Sequence, residues 1–530
     1  MPDQYSKQTA IAARLAQLHC YGVTAAQMSQ IESRVFEGGM PVAALMEKVA
    51  GLITQRIQAL YPTQQARRVG VLVGPGHNGG DALVVARELH LNGYEVVLHQ
   101  PITKMKELTA SHAQYADRLG IPKGELDTFA DCDLVIDGLF GFGLTRPLEG
   151  TIATTVNQIN YWEKPVVSID LPSGLHTDTG AILGTAVRAT HTLCLGLWKL
   201  AFLQEQGLDY IGQAELIDFG LPIAEIAAVL GEEPTHQRIT PEMAMAALPL
   251  PRSAATHKYK QGHLLVVGGS RQYMGAAILA GLAARASGVG MLSIAVPESM
   301  RSILIGQLPD ALVIGCPTNQ TGAIAQFPEE LDFSKYDAIA CGCGMTMGAK
   351  PVVEQVLASS VPLVLDADGL NVLSQLDPIP TLKQRQAATI LTPHLGEFRR
   401  LFPEIAEQID DRIQGVQRAA QQSGAVVLLK GARTAIANPE GRVWLNPDST
   451  PALARGGSGD VLTGLMGGLL AQGLLKHKTI ADIVWSAAWW HAQAGVFAAQ
   501  ERTELGVDAS SLIQSLIPTL RHWQQPERLL

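Results

Sequence analysis

The chain has 530 residues, 47% of them hydrophobic and 17% charged, and its 40 basic and 49 acidic side chains leave a net charge of −9. That length exceeds one ordinary core and predicts two domains, or three, while the composition excludes a disordered chain. Without a basic block, nucleic acid and anionic membranes are excluded as expected partners, although local phosphate sites are not.

The first twenty residues lack the apolar core of a signal peptide. The six cysteines are scattered with no CxxC pair, so reduced core thiols in a cytoplasmic protein are expected. Residues 24–60 carry a helical pattern, with Thr24 and Gln27 spaced as a capping box and Gly38, Gly39 and Pro41 dividing two helices. Residues 68–74 form an apolar run of strand length, followed by the glycine-rich PGHNGGD. A helix is expected at 82–92 and a second strand at 94–99. Strand, glycine loop, helix and strand make a βαβ unit, and hence a parallel sheet covered on both faces. The loop is a candidate anion site but not the GxGxxG dinucleotide fingerprint.

Two more strand ends carry polar residues. DLVIDG ends on Asp137 and runs into LFGFGLTRPLEG, and VVSID ends on Asp170 and runs into LPSG. Ligands of open parallel sheets sit beyond the carboxyl ends of the strands, so Asn78, Asp137, Asp170 and Ser173 are expected to share one crevice. Residues 221–256 are rich in proline, show no strong strand and hold one short helix near 242–248; they read as a domain boundary.

A second βα start follows, with a strand at 264–267, a small-residue helix at 275–288 and a strand at 292–296. Further strands at 336–340, 361–365, 389–391 and 425–429 lead into CGCGMT, DADGLN, TPHLGEF and KGART. Lys430 is a phosphate candidate, because lysine is a flexible point charge. Asp366 and Asp368 read equally as turn acids or as site residues, and His394 more readily as a structural histidine than as a ligand residue. The last signal is GGSGD, followed by a helix over 461–475. Glycines before a helix let the backbone approach a ligand and leave the first amides free for an anion. Asp460 at that mouth reads either as a helix cap or as a base aimed at a proton beside the phosphate. The uncharged run 483–500 contains His491 and reads as a buried helix rather than a membrane span.

GHNGGDALVVAR, DGLFGFGLTRPLEG and SIDLPSG, in that order, resemble the NAD(P)H-hydrate epimerase family. The resemblance implies a Rossmann-like three-layer domain over residues 1–225 that interconverts the R and S hydrates. It implies a potassium ion on Asn78, Asp137 and Ser173. The hydrate would lie on His77, Asn78, Gly79, Gly80, Asp81, Gly141, Phe142, Gly143, Leu144, Thr145, Arg146, Pro147 and Asp170. Asp170 is the acid–base candidate. This chain reads HNGGDA where the family has Asn-Asn-Gly-Gly-Asp-Gly, which puts His77 at the site, and LMEKVA where the family has Leu-Met-Glu-Asn-Ala-Gly.

HK-x3-GH, CGCG, DADGLN, TPHLGE, KGART and GGSGD together resemble the ADP-dependent NAD(P)H-hydrate dehydratase family, with its ribokinase-like α/β fold, over residues 240–530. By that resemblance Lys430, Gly431, Ala432, Arg433, Thr434 and Gly459 hold ADP, with magnesium bridging phosphates. Ala276, Gly344, His394 and Asp460 face the hydrated nucleotide (NADHX or NADPHX), and Asp460 is the catalytic base. A kinase of the same fold would carry a similar Gly–Asp site, and the first half read by itself could be a binding module. The residues leave homo-oligomerisation open.

Overall fold

The computed structural model describes residues 2–408 and 411–524, with side chains from residue 11 onward. The chain divides into two compact units, Met1–Pro234 and Thr235–Leu530. They meet inside the proline-rich stretch; the outermost ends of the expected spans 1–225 and 240–530, at Met1 and 525–530, lie outside the described residues.

The first unit begins with helices α1 (Pro2–His19), α2 (Ala25–Glu37) and α3 (Val42–Leu60). Thr24 caps α2 by the expected capping box with Gln27, a device that contributes about 1 kcal/mol. Next come β1 (Arg68–Val73), α4 (His77–Leu91), β2 (Glu95–His99), β3 (Leu134–Gly138), β4 (Val166–Ile169), β5 (His191–Leu195) and β6 (Gln213–Ile217). Every pairing is parallel, in the order β2-β1-β3-β4-β5-β6. From β1 the chain moves outward to β2 and then returns to the other side at β3. The loops after β1 and β3 therefore diverge and open a crevice. Val69, Val71, Leu134, Ile136, Val167 and Ile169 are buried on one face of the sheet and Leu72, Val135 and Val166 on the other, as a sheet covered on both faces requires.

The expected loop over 74–81 is largely helix, since α4 starts at His77, five residues before the expected start at 82. Its two consecutive glycines lower helix propensity, but tertiary contact imposes the helix. A Cβ on Gly79 would overlap the carbonyl oxygen of Gly74, and one on Gly74 would overlap that of Leu139. Only glycine lets these backbones touch.

In the second unit, the stretch read as a strandless boundary holds a helix, α5 (Ile223–Leu230, still in the first unit), then β7 (His236–Arg238) and α6 (Pro241–Ala247). Three residues of mixed polarity give no periodic signal; β7 is a strand because it pairs with an edge. The rest of the framework is β8 (His263–Val267), α7 (Met274–Ala286), β9 (Met291–Pro297), β10 (Leu312–Cys316), β11 (Ala338–Cys341), β12 (Leu363–Leu365), β13 (Thr389–Leu391), α8 (Leu395–Leu401), β14 (Val426–Leu429), β15 (Thr434–Ala437), β16 (Val443–Asn446), α9 (Ser458–Leu474) and α10 (Ile480–Gly506). The sheet runs β10-β9-β8-β11-β12-β13-β14-β15-β16-β7, parallel except for the antiparallel pairs at β15. Its switch point lies between β8 and β11. This is the ribokinase-like α/β arrangement, and α9 packs against α7 and crosses the central strands.

Helix α9 also starts early, at Ser458 rather than Val461, which puts Asp460 in its first turn instead of at its cap. The cap is Gly457 at φ +93°, with no side-chain cap bond. No described helix is long and apolar enough to cross a membrane.

Candidate active sites

In the first unit the crevice is a cavity of about 780 Å³. The α4 turn brings His77, Asn78 and Asp81 to its wall, the loop after β3 brings Gly141 to Arg146, and β4 leads directly into Asp170. Gly79, Gly80 and Pro147 do not line it; the two glycines serve close packing behind the wall.

Asp137, Asp170, Ser173 and Asn78 do converge. Asp137 is fully buried. It accepts hydrogen bonds from Ser173 Oγ (2.6 Å), Ser168 Oγ (2.9 Å), Ser173 N (2.9 Å) and Leu139 N (3.2 Å). Burial raises its carboxyl above the ordinary range, and these four donors pull it partly back. A Cβ on Gly141 would lie 3.0 Å from Asp170 Oδ2 and 3.2 Å from Asn78 Oδ1, so that glycine separates the two side chains with no room to spare. Asn78 Nδ2 is buried without a hydrogen-bond partner among the described residues.

Asp170 takes φ +69°, a left-handed backbone that aspartate tolerates better than most residues. Strain of this kind collects at functional sites. Its carboxylate accepts from Phe142 N (2.9 Å) and Leu195 N (3.3 Å) and is ion-paired with Lys199, whose side chain has no exposed surface. Lys199 Nζ also donates to the Leu195 carbonyl (2.6 Å). Burial alone would lower the Lys199 ammonium, but Asp170, Cys194 and Glu32 together outweigh it and the net shift is upward. Burial, with Asp170 and Glu32 adding repulsion, raises Asp81 well above the ordinary carboxyl range.

Two polar residues of this site escaped the sequence reading. Lys199 is the one charge in the apolar run LCLGLWKLAFL, and that isolation is a signal. Glu32 follows Met28 by four residues on the inward face of α2, where a hydrophobic side chain is expected. It lines the cavity.

In the second unit, the strand-end residues also meet. A Cβ on Gly344 (φ +64°) would press 2.8 Å from the Ala276 Cβ, so these two are in contact. Lys430 Nζ donates to Asp366 Oδ1 (2.7 Å), and Thr463 Oγ1 on α9 donates to Asp366 Oδ2 (2.6 Å). A Cβ on Gly459 would stand 3.5 Å from Lys430 Nζ, which places the lysine at the mouth of α9. Lys430 N donates to the Pro393 carbonyl (2.8 Å), so the phosphate candidate sits beside His394. His394 caps α8 through Nδ1, which accepts from Gly396 N at 2.9 Å, while over half its side-chain surface stays exposed. Gly431 and Ala432 are exposed, and Arg433 and Thr434 half-buried. Asp368 accepts from Thr346 N at 2.8 Å and acts as a loop brace.

Asp460 is half-buried, and burial raises its carboxyl to about 6; a hydrogen bond from Cys343 and the charge of Lys430 oppose the shift, and Asp366 adds to it. The amide of Ser458 is spent on the Arg455 carbonyl (3.3 Å), whereas those of Gly459 and Asp460 make no backbone hydrogen bond among the described residues. The amides left free for an anion are therefore those of Gly459 and Asp460, in the first turn of the helix. His491 on α10, pushed down to about 4 by burial and so neutral, uses Nε2 to donate to the Ser458 carbonyl (3.0 Å) and fixes that turn from behind.

A family model described as NAD(P)H-hydrate dehydratase matches residues 264–518, and one described as YjeF-related protein N-terminus matches 42–201. The chain is 53% identical over 500 residues to a bifunctional NAD(P)H-hydrate repair enzyme of Thermosynechococcus vestitus, covering 94% of this chain and 97% of that one. A protein of the same description from Synechocystis is 54% identical over 505 residues, covering 95% of each chain. Among solved structures, the ADP/ATP-dependent NAD(P)H-hydrate dehydratase from Bacillus subtilis, co-crystallised with ATP and Mg2+, is 33% identical with a TM-score of 0.45; it covers 54% of this chain and 98% of its own.

Proposed function

The chain belongs to the bifunctional NAD(P)H-hydrate repair enzymes, and from that premise we propose how its two strand-end sites divide the work. The protein epimerises hydrated NADH and NADPH and dehydrates them back to the reduced dinucleotides. The epimerase site is the cavity of the first unit, with Asp170 as its acid–base residue. The dehydratase site is the mouth of α9, with Asp460 as its base and ADP as phosphoryl donor.

A hydrated dihydronicotinamide carries a hydroxyl that leaves poorly. Asp460 accepts the proton of that hydroxyl as its oxygen attacks the terminal phosphorus of the nucleotide. Lys430 and the free amides of Gly459 and Asp460 hold the phosphoryl oxygens at the positive end of the helix. The bond to the bridging oxygen breaks and AMP departs. The phosphorylated hydroxyl then leaves as phosphate, and loss of the neighbouring ring proton restores the double bond. Magnesium, when bound, neutralises phosphate charge; Asp366, beside Lys430, is the oxygen donor nearest to that role. The observation that carries this reading is a carboxylate in the first turn of a helix whose cap is a glycine and whose neighbour is a half-buried lysine.

Asn78, Asp137 and Ser173 suit potassium. Asp137 is fully buried and its four partners are neutral hydroxyls and amides, so a weakly binding monovalent cation would compensate its charge. Held by Asn78, Asp137 and Ser173, such an ion would supply a fixed positive charge to the site. His77, Asp81 and Gly141 to Arg146 form the wall that orients the ring, and Asp170 handles the proton.

The test is to incubate the protein with mixed-epimer NADPH hydrate and ADP while following the absorbance of reduced nicotinamide. Recovery beyond the fraction of the S epimer requires both sites. Recovery that stops at that fraction sinks the epimerase assignment.

A further inference from the structure

Epimerisation at a carbon that carries both a hydroxyl and the ring nitrogen needs more than one proton-transfer group. The nitrogen lone pair expels the hydroxyl, so the C–O bond breaks, an iminium forms, and the leaving oxygen takes a proton to become water. A water molecule on the other face then forms the new C–O bond and gives up a proton. One acid and one base are required, and the proton count balances over the cycle. Asp170, ion-paired and held by two backbone amides, fills one role.

Glu32 is the carboxyl that the arrangement around Asp170 leaves unexplained. It projects from α2 into the same cavity. Its carboxyl has no hydrogen-bond or ion-pair partner among the described residues, whereas Asp170 has an ammonium and two amides. We propose that Glu32 is the second proton-transfer residue of the epimerase, the partner of Asp170 across the cavity. In one direction protonated Glu32 donates to the departing hydroxyl while Asp170 accepts from the incoming water; the reverse reaction exchanges the roles. The inference rests on the assignment of the cavity as the epimerase site.

The environment suits that role. Burial raises Glu32 to about 7, with Asp170 adding to the shift and Lys199 opposing it. One carboxyl compensated and one held near neutrality is the arrangement by which two like groups take opposite roles. Asp81, itself pushed well up, shares the cavity. His77, Lys106 and Arg146 supply the remaining charged or titratable groups on the wall. On the far side, Arg34 of α2 pairs with Glu225 of α5 (2.7 Å).

The full-length protein tests this through exchange between the separated epimers without nucleotide. Glu32→Gln is expected to lower kcat for exchange roughly 100-fold or more. Hydrate affinity should stay within about threefold, and dehydration of the S epimer should be unchanged. The wild-type exchange rate should fall as pH rises through about 7, as the donating form of Glu32 is lost, and the residual activity of the variant should lack that limb. Glu32→Asp should restore the limb at reduced rate; if the glutamine variant fails to fold, that variant and the wild-type profile decide. Exchange by Glu32→Gln within threefold of wild type overturns the inference, as does an alkaline limb that persists unchanged in the variant. Should wild type itself fail to exchange epimers, the cavity assignment fails instead.

Discussion

Each unit rests on an aspartate whose surroundings differ in kind. Asp170 is paired with a buried ammonium, while Asp460 has Lys430 close by but spent on Asp366. Asp170→Asn removes a carboxylate without removing bulk, so epimer exchange should fall about 100-fold or more while the S epimer is dehydrated at the wild-type rate. Loss of both activities together, in the same nucleotide-coupled assay, would contradict the two-site division. As the proposed base, Asp460 should set a pH limb: it must be ionised, and burial raises it to about 6. Dehydration should therefore hold above that pH and drop about tenfold for each unit below it, some two units higher than for an ordinary aspartate. Asp460→Asn should abolish dehydration with ADP binding largely retained, as read by calorimetry. Asp170 and Asp460 were legible in the sequence because each follows an apolar strand or a glycine cluster. Lys199 and Glu32 were not, since burial of a lone charge depends on which distant helix or loop covers it.

Glycine misleads at the scale of single elements. Both functional helices were read three to five residues short, because HNGGD and GGSGD look like loop. HNGGD is helix because Gly79 lets its backbone touch that of Gly74 where a side chain could not intervene, whereas in GGSGD only Ser458, Gly459 and Asp460 are helical, behind the left-handed cap at Gly457. Strands β7, β10, β15 and β16 were missed for another reason: each is three to five residues long and takes its identity from a neighbouring edge. The apolar runs ahead of strand-end motifs were legible throughout, because a central parallel strand buries both faces. The same close approach makes a stability prediction. A Cβ on Gly464 of α9 would overlap the carbonyl oxygen of Ala280 on α7. Gly464→Ala gains about 1 kcal/mol of helix propensity but forces the two helices apart, a cost of about 1–3 kcal/mol or more. Its melting temperature should drop despite the better helix former. An unchanged or raised Tm would mean that the helices part without loss.

The whole chain joins a step that makes one epimer from the other to a step that consumes one epimer, and this pairing gives the fusion its chemical sense. Alone, the dehydratase would strand the epimer it cannot use; alone, the epimerase would restore nothing. The two proposed catalytic constellations use no residue in common, since Glu32, Asp170 and Lys199 lie in the first unit and Asp366, Lys430 and Asp460 in the second. Their shared intermediate is a dinucleotide that dissolves freely in water. Full-length Asp170→Asn and full-length Asp460→Asn, each unable to clear a mixed-epimer hydrate, should therefore do so when mixed. Recovery by the Asp170→Asn protein alone should halt at the S fraction and resume on addition of the Asp460→Asn protein. The resumed rate should rise with the amount of the second protein, because the S epimer must leave one chain and find another. If the mixture stays halted, one variant has lost the activity of its intact unit, and the division of the two steps between Asp170 and Asp460 fails.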